Sequence, residues 1–372
     1  MSVRIAGMGW VTPLGRGVDQ VWARLLRGDE ATAQTIPGLD GTKSYQGFLV
    51  PKEASNNLPP HPRLRRASAI SRFAAAAGLD ALAQAKSGNL KVEMESLALV
   101  FAVSNGGVAY TKRFYHGIVE SGAQSASPLL FPETVFNAPA SHLAAILGLN
   151  GATYTIVGDG AVGILGIKMA SELLETGAAN HCLVVAAEEA DWLLFDAYHK
   201  WRLLKSSPPL EPFSDPPRGT ILSEGAGAVL LSAEGKVKID SISPGGNFSH
   251  QRDAIEVVNR VLQDVRDQAA CIVASANGTF VDLAEREAIR QEAPQSIVYS
   301  PKSPLGESVG ASGLWQVIVA ACALAGKQLP PMLHAAKNTG LRFPSREAEV
   351  GPAAIVSSCG LNQQAAGLRL ST

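Results

Sequence analysis

The chain has 372 residues, of which 46% are hydrophobic, and it carries 32 basic and 33 acidic side chains. A chain of this length can bury a large core, and its near-zero net charge gives no support to a nucleic-acid-binding role. The first ten residues, MSVRIAGMGW, contain neither a long apolar run nor a small-residue cleavage site, and they predict no secretory signal.

Eight short runs rich in Val, Ile and Ala, bounded by Gly, Asn or Ser, predict buried strands. In chain order they span residues 3–11, 95–104, 153–157, 181–190, 227–233, 271–277, 295–300 and 353–358. Between many of them, apolar residues recur at helical spacing, as in residues 72–86 and from Val162 to Leu173. This alternation predicts an α/β fold in which helices cover mixed or parallel sheets.

Two segments, residues 33–62 and 206–219, are dense in Pro, Gly and Ser, which predicts surface loops. The best dividing point lies in residues 232–246, so we expect two halves, residues 1–235 and 236–372, that form one compact unit. The stretches GDGAVGILGIKMASELL and SVGASGLWQVIVAACAL both pass from small residues into an apolar helix. One such echo is weak evidence of duplication.

The cysteines and the longest apolar run restrict the setting of the protein. The four cysteines are widely spaced in apolar surroundings: Cys182, Cys271, Cys322 and Cys359. None forms a C-x-x-C pair or neighbours a histidine cluster, so we expect free thiols, no metal site and no cofactor. Residues 314–326 are interrupted by Gln316 and fall short of the ~20 residues of a membrane span. We therefore expect a buried helix there, no membrane span and a cytoplasmic protein.

The stretch TIVGDGAVG, residues 155–163, reads as a strand that passes through a sharp glycine turn into a helix. A turn of this kind is where many folds mount a nucleophile, yet beyond Thr155 the stretch contains no Ser, Cys or Thr. Asp159 precedes the helix, and Asp is a preferred N-cap residue. We therefore expect Asp159 to cap the helix; the alternative is a repurposed acid or base.

Several segments resemble the β-ketoacyl-acyl-carrier-protein synthase family, above all IAGMGWVTPLGRGVDQVWARLLRG, SPLLFPETVFNAPASHLAAILGLNGATYTIV and PFSDPPRGTILSEGAGAVLLSAE. The resemblance continues through RRASAISRFAAAAGLDAL, ANGTFVDLAEREAI, SPKSPLGESVGASG and SSCGLN, so it covers nearly the whole chain in order. It implies the thiolase-like fold, in which two similar α/β halves stack in five layers, α-β-α-β-α. It also implies a dimer assembled through strands next to the elbow.

The resemblance further implies where the catalytic groups of the family would lie. The family forms carbon–carbon bonds with a cysteine thiolate and two histidines that stabilise the thioester oxygen and the enolate. The cysteine position is Gly160, the first histidine position is Asn277 and the second is Glu307, while the lysine of the family is retained as Lys302. A carboxylate beside a developing enolate repels the charge that an imidazole would stabilise. We therefore predict no condensing activity from this chain alone.

The residues around this degenerate site are given mainly structural roles. Lys302 and Glu307 can neutralise each other in a buried pair, which we favour over a catalytic role. Cys359, in SSCGLN, lies near the same pocket by analogy, but no basic residue accompanies it in the sequence. Leu361 stands where the family has a gating phenylalanine, which puts acyl-chain gating in doubt.

The family also contains chain-length-factor subunits, which resemble ketosynthases without the catalytic cysteine and pair with an active one. This resemblance implies a heterodimer with a ketosynthase and, through it, contact with an acyl carrier protein in fatty acid, polyketide or aryl-polyene biosynthesis. Such a subunit shapes the acyl tunnel, and the candidate residues here are Tyr110, Phe114, Tyr115, Phe136 and Leu361. Known chain-length factors often carry Gln at the nucleophile position, so Gly160 departs from that subgroup.

Two other functions are left open by the sequence. One is a repurposed acyl-transfer or hydrolytic enzyme that uses Asp159, Lys302 and Glu307, which convergence of these groups on an open cleft would favour. The other is a non-catalytic structural homodimer, which a pocket collapsed at Gly160 would favour.

Overall fold

The strands and helices of the chain alternate over most of its length. The computed structural model describes residues 2–39, 41–65, 67–267, 269–345 and 350–372. In chain order the strands are β1 (Arg4–Thr12), β2 (Gly15–Arg16), β3 (Gln34–Pro37), β4 (Ser44–Gly47), β5 (Leu97–Val103), β6 (Thr153–Val157), β7 (His181–Glu188), β8 (Gly225–Ser232), β9 (Val237–Ile242), β10 (Gly246–Asn247), β11 (Cys271–Val273), β12 (Ile297–Tyr299), β13 (Ala353–Cys359) and β14 (Gln364–Ser371). The α-helices are α1 (Val18–Arg27), α2 (Ala69–Ser87), α3 (Val108–Ser121), α4 (Ala138–Leu147), α5 (Val162–Glu175), α6 (Trp192–Lys200), α7 (Ala254–Val265), α8 (Phe280–Glu292), α9 (Lys302–Leu305) and α10 (Ser312–Gly326).

The eight runs predicted as strands each contain a strand, and the predicted helices are α2, α5 and α10. Residues 206–219 contain no helix or strand, as expected. The prediction for residues 33–62 is wrong in part, because β3 and β4 form an antiparallel hairpin there, with Thr35 paired with Gln46. Tyr45 and Gly47 of β4 are buried whereas no residue of β3 is, so the hairpin packs on the rest of the chain mainly through β4.

The strands of the main sheet repeat one topology twice. Their order is β12-β11-β13-β14-β9-β1-β8-β7-β5-β6. Each half contributes five strands to this order: β1, β5, β6, β7 and β8 in the first half, and β9, β11, β12, β13 and β14 in the second. When the strands of each half are numbered along the chain from 1 to 5, both halves have the order 3-2-4-5-1. In each half the second strand is parallel to both of its neighbours, and the fourth pairs antiparallel with the fifth. The prediction of two similar α/β halves is therefore confirmed, whereas the exact boundary at residues 235 and 236 stays a prediction.

The helices complete a five-layer stack. Helices α2 and α4 cover the outer face of the first half, and α7 and α8 cover the outer face of the second. Helices α5 and α10 lie between the two halves, where α10 is buried from Ser312 to Leu324. At the crossing of these central helices, a Cβ at Gly163 would lie 3.0 Å from the backbone nitrogen of Leu314. This close approach brings the elbow before α5 next to the loop before α10.

The apolar helix predicted at residues 314–326 is α10, which is buried in this central layer. Among the helices of the described residues, none combines the length and the apolar character required to cross a lipid bilayer.

Candidate functional site

Backbone atoms from the second half of the chain occupy the space next to Gly160, at the tip of the elbow. Gly160 lies between the end of β6 and the start of α5. A Cβ at this position would lie 2.9 Å from the Cα of Gly360 and 3.5 Å from the carbonyl oxygen of Cys359. The Ser358 hydroxyl also donates a hydrogen bond of 2.9 Å to the Gly160 carbonyl. A cysteine side chain at this tip would therefore require the segment around Gly360 to move.

Asp159 fixes this contact instead of capping a helix. Its Oδ2 accepts hydrogen bonds from the backbone N–H groups of Asn362 (2.8 Å) and Gln363 (2.9 Å), and its Oδ1 accepts one from Gly160 (2.7 Å). The N-cap position of α5 is Ala161, and no side chain caps this helix. The capping prediction for Asp159 is therefore wrong, because the loop that follows Gly360 supplies nearer donors. The carboxylate serves as a link between the two halves.

The two histidine positions and the retained lysine form one buried cluster. Lys302 Nζ lies 2.6 Å from Glu307 Oε2, and the Asn277 side-chain amide donates to the same oxygen at 2.7 Å. The Ser312 hydroxyl donates to Glu307 Oε1 at 2.8 Å, and the Thr279 hydroxyl donates to Asn277 Oδ1 at 2.6 Å. The Lys302 and Glu307 side chains are only 1% and 2% exposed. The prediction of a buried ion pair is confirmed, and these groups bond one another instead of facing a substrate.

Two further buried carboxyl groups from α8 lie beneath this cluster. Asp282 accepts hydrogen bonds from the backbone N–H groups of Phe213, Asn277 and Gly278, and burial raises its pKa to about 6. Burial likewise raises the pKa of Glu285 to about 7. Neither residue was predicted from the sequence. Their signal was available, since they fall on the inward face of the ANGTFVDLAEREAI pattern together with apolar residues.

Glu285 is bonded on one oxygen only. Its Oε1 accepts hydrogen bonds from the Ser275 N–H, the Ser275 hydroxyl and the Ser357 hydroxyl, at 2.9, 2.9 and 2.8 Å. Its Oε2 has no hydrogen-bond partner among the described residues. A buried carboxyl oxygen without a donor disfavours the charged form, which agrees with the raised pKa of this group.

The pocket next to Glu307 is a cavity of about 10 Å³ between the two halves. It lies at the carboxyl end of β7, and the residues that line it are Asn105, Glu188, Glu189, Ala190, Leu194, Phe195, Tyr198, Leu222, Ser223, Glu307, Ser308 and Val309. Pockets for small ligands typically occupy ~300–1,000 Å³, whereas this one has room for about one water molecule. An acyl chain does not fit in it.

Glu188 is the principal new group in this cavity wall. Its carboxyl accepts hydrogen bonds from the backbone N–H groups of Ser104 and Asn105. Burial raises its pKa to about 8, against the opposing effect of these bonds. A side chain at Gly310 would collide with this carboxyl. Sequence reasoning missed Glu188, although two consecutive glutamates at the end of an apolar strand, as in VVAAEEA, were a visible signal.

The first five residues of the SSCGLN segment, 357–361, are buried in the core. Burial raises the pKa of the Cys359 thiol well above its usual range, so the reactive thiolate form is strongly disfavoured. The Cys359 sulfur lies 3.7 Å from the Gly360 carbonyl oxygen. Leu361 is buried in the same hydrophobic cluster as Cys359 and Val309. The structure therefore does not bring Leu361 together with the four aromatic tunnel candidates.

Those four aromatic residues lie on or near the surface of the first half. Tyr115 and Phe136 are 59% and 46% exposed, and Tyr110 and Phe114 are of intermediate exposure. The Phe114 ring contacts Tyr115 at a centroid distance of 5.4 Å and Phe131 at 5.8 Å. None of the four lines the cavity beside Glu307.

The donor sets of the described ranges do not suggest a metal centre. In these ranges no three or more His, Cys, Asp or Glu side chains are grouped so that they could hold a metal ion. The candidate site is a closed, hydrogen-bonded cluster at the position where the resemblance implies a catalytic pocket.

The sequence profile of the "Beta-ketoacyl synthase, N-terminal domain" matches residues 1–236, and that of the "Beta-ketoacyl synthase, C-terminal domain" matches residues 231–336. Similar curated proteins include 3-oxoacyl-[acyl-carrier-protein] synthase 2 of Vibrio cholerae, which is 25% identical over 89% of this chain and 88% of its own length. The protein of the same name from Rhizobium meliloti is 26% identical over the same shares of the two chains.

Solved structures of the same fold include a β-ketoacyl synthase from Burkholderia phymatum, with a TM-score of 0.86 and 21% identity over 100% of this chain and 99% of the other. The ishigamide ketosynthase/chain length factor superimposes with a TM-score of 0.85 and 19% identity, over 100% and 99% of the two chains. A ketosynthase in complex with its chain length factor from Xenorhabdus doucetiae gives 0.83 and 18%, over 100% and 98%. At such identities these structures establish the thiolase-like fold alone. Together with the two matching profiles, they show that the chain belongs to the β-ketoacyl synthase family.

Proposed function

We propose that this chain is a non-condensing subunit that pairs with an active ketosynthase and shapes its acyl tunnel, as a chain-length factor does. The observation that carries the proposal is the open, apolar edge of the sheet at β6. The strand β6 leads into the elbow at Gly160, where the cysteine of the family is absent and the space for its side chain is occupied by backbone around Gly360.

The pocket supports the non-condensing part of the proposal. Condensation by this family requires a thiolate, and position 160 has no side chain. Removal of one oxyanion-hole donor typically costs about 2.7–4 kcal/mol of transition-state stabilisation. Here Asn277 donates to Glu307, and Glu307 is paired with Lys302. Asp159 bonds to the backbone of residues 362–363, away from the Lys302–Glu307 pair. Within the described residues these groups therefore do not converge on an open cleft, and the structure gives no support to a repurposed acyl-transfer or hydrolytic enzyme.

The edge of the sheet supports the pairing part. Within the described residues β6 pairs with β5 only. The Ala152 carbonyl accepts from Leu99, and the Gly158 N–H donates to Val103, so the even-numbered residues of this segment bond to β5. The backbone groups of the odd-numbered residues, including Thr155 and Val157, therefore face outward. An open edge of this kind is a template for a strand from another chain.

Exposed apolar side chains occur on β6 and on two other segments of the first half. They come from α3, from residues 129–136 and from β6, and their exposed fractions range from 38% to 83%: Tyr115, Val119, Leu129, Phe131, Val135, Phe136, Tyr154 and Val157. Large exposed apolar patches on a soluble protein usually mark an interface. This surface contains or adjoins the four aromatic tunnel candidates, of which Tyr110, Phe114 and Tyr115 lie on α3 and Phe136 lies after it. We infer that a bound ketosynthase receives these side chains at its own pocket.

The comparisons are consistent with such pairing. Two of the solved structures described above are a ketosynthase with a chain length factor. In another of the same fold, with a TM-score of 0.83 and 17% identity over 100% and 99% of the two chains, a type II PKS acyl-carrier protein is in complex with its ketosynthase. By analogy, the carrier protein would reach this chain only through its partner.

A structural homodimer is the second candidate, because the closed pocket at Gly160 fits it equally well.

Co-expression with ketosynthases encoded next to this chain distinguishes the heterodimer from the homodimer. The proposal predicts a stable heterodimer and malonyl-dependent elongation whose product length changes when this chain is omitted. A tight homodimer that captures no ketosynthase would support the second candidate instead. Elongation by this chain alone, or by its complex with a ketosynthase that lacks its catalytic cysteine, would overturn the non-condensing assignment.

A further inference from the structure

Helix α3 is held on its own chain in an unusual way. It spans Val108–Ser121, and Val108 is its only buried residue within the described chain. By contrast, α2 buries more than half of its 19 residues. An isolated helix of this length is marginal in water, so contacts with the rest of the chain must hold α3 in place, and buried apolar side chains contribute little to them.

The start of α3 is not capped by its own residues either. Its N-cap residue is Gly107, and no side chain of that position accepts a hydrogen bond from the helix. The first N–H groups of any α-helix need acceptors, and negative charge is favourable at this end because of the helix dipole.

Acidic residues at the carboxyl end of β7 supply such acceptors at the start of α3 and in the segment before it. Glu188 Oε1 accepts the N–H of Ser104 at 2.5 Å and that of Asn105 at 3.2 Å, just before the helix. Glu189 Oε1 accepts the N–H of Ala109, in the first turn, at 2.9 Å. The other Glu189 oxygen accepts the N–H of Ile70, which ties the same carboxyl to α2.

A third acid continues this series one turn further along α3. Asp191 Oδ2 lies 2.5 Å from Lys112 Nζ. The other Asp191 oxygen accepts the N–H of Leu193 and caps α6. The Lys112 ammonium also lies 5.4 Å from the centroid of the Trp192 ring, within the range of a cation–π interaction.

We propose that Glu188, Glu189 and Asp191 form a carboxyl anchor that positions α3 for association with another subunit. Glu188 also lines the cavity that contains Glu307, so the pocket that no longer performs condensation supports the association surface. The three acids are positioning residues. The identity of the associating subunit rests on the proposed function, whereas the anchoring of α3 within the isolated chain does not.

Amide hydrogen exchange of the purified chain tests the anchor. Glu188→Leu keeps the volume of the side chain but removes the acceptors for Ser104 and Asn105, whereas Glu188→Gln retains one acceptor oxygen. Lys112→Met removes the ion pair to Asp191 at a partly exposed site and should leave the fold intact. Glu175→Gln, which neutralises an exposed carboxylate at the end of α5, is the matched control.

The anchor predicts that amides of residues 108–121 exchange about tenfold faster in Glu188→Leu and in Lys112→Met. Exchange should be close to that of the unmodified chain in Glu188→Gln and in Glu175→Gln, and α7 should be unaffected throughout. Unchanged exchange of α3 in both Glu188→Leu and Lys112→Met would overturn the proposal, as would acceleration spread evenly over the chain. These outcomes need no ketosynthase, so failure of the pairing proposal would be recognised separately.

Discussion

The two ends of the main sheet are built from equivalent strands but are finished differently. At the end of the second half, β12 is buried and its outer side is covered by the chain itself, because the Val298 N–H donates to the Arg342 carbonyl at 2.7 Å. At the end of the first half, β6 has no such cover among the described residues, and Tyr154 and Val157 are 38% and 49% exposed.

The two halves therefore differ in how completely the described chain covers their outermost strands. Within the described residues, the second half covers its sheet edge with its own chain and pairs the buried Lys302 and Glu307 charges with each other. Within the described residues, the first half leaves outward-facing backbone groups of β6 unpaired by another strand and apolar side chains of β6 and α3 exposed. Changes in the second half should therefore alter the stability of the isolated chain, and changes at the β6 edge should alter association.

The largest expected effect is on stability, through Glu307→Ala. This change leaves the buried Lys302 ammonium without its partner, which typically costs about 3–5 kcal/mol. Denaturant unfolding of the isolated chain would measure it. The double variant Lys302→Met/Glu307→Leu is the control, because replacement of a buried ion pair by apolar residues is often neutral or stabilising. If both variants retained the stability of the unmodified chain, the second half would not depend on this cluster.

The next effect is on association, through Thr155→Pro. Proline removes an outward-facing N–H of β6 while the neighbouring residues keep their bonds to β5. We expect the affinity for a ketosynthase to fall on the order of a hundredfold with little change in the melting temperature of the isolated chain. Titration of the two purified subunits would measure the affinity.

The equivalent change at the covered edge, Val298→Pro, is the matched control. It removes the hydrogen bond to Arg342 and should lower the melting temperature of the isolated chain instead. The comparison between the two ends would be contradicted if Thr155→Pro unfolded the chain or if Val298→Pro left its melting temperature unchanged.

The sequence was sufficient for the main architecture because buried strands and helices have strong local patterns. The strands β9 and β14 were not predicted, however. The β9 segment was interpreted as a dividing point, since VKIDSI alternates apolar and polar residues between glycines. The β14 segment, QAAGLRLS, contains Gly and Arg. Both strands are stabilised by neighbours far away in sequence, which local patterns cannot show.

The site was predictable in its residues but not in its packing. Motif positions identified Gly160, Asn277, Lys302 and Glu307, and the structure places the last three in contact. The contact between Gly160 and Gly360 could not be read from the sequence, because it joins segments 200 residues apart through backbone atoms. The capping prediction for Asp159 failed for the same reason, since its partners lie in the distant 362–363 segment.

The smallest effect for a single step of the measurement, one pH unit, concerns Glu285 in the second half. Burial raises the pKa of Glu285 to about 7 in the folded chain, against an ordinary value of about 4.3 for an unfolded chain. Between these values the folded state binds the extra proton, so stability should fall as pH rises through this window and become constant above it. Glu285→Gln mimics the protonated form and should flatten the slope of stability against pH by at most about 1.4 kcal/mol per pH unit.

Denaturant unfolding measured between pH 5 and 8 would show this change of slope. The control is Thr155→Pro, which should keep the slope of the unmodified chain because β6 contributes no buried acid. An unaltered slope in Glu285→Gln would mean that this carboxyl is ionised in the folded core, with a donor for its second oxygen.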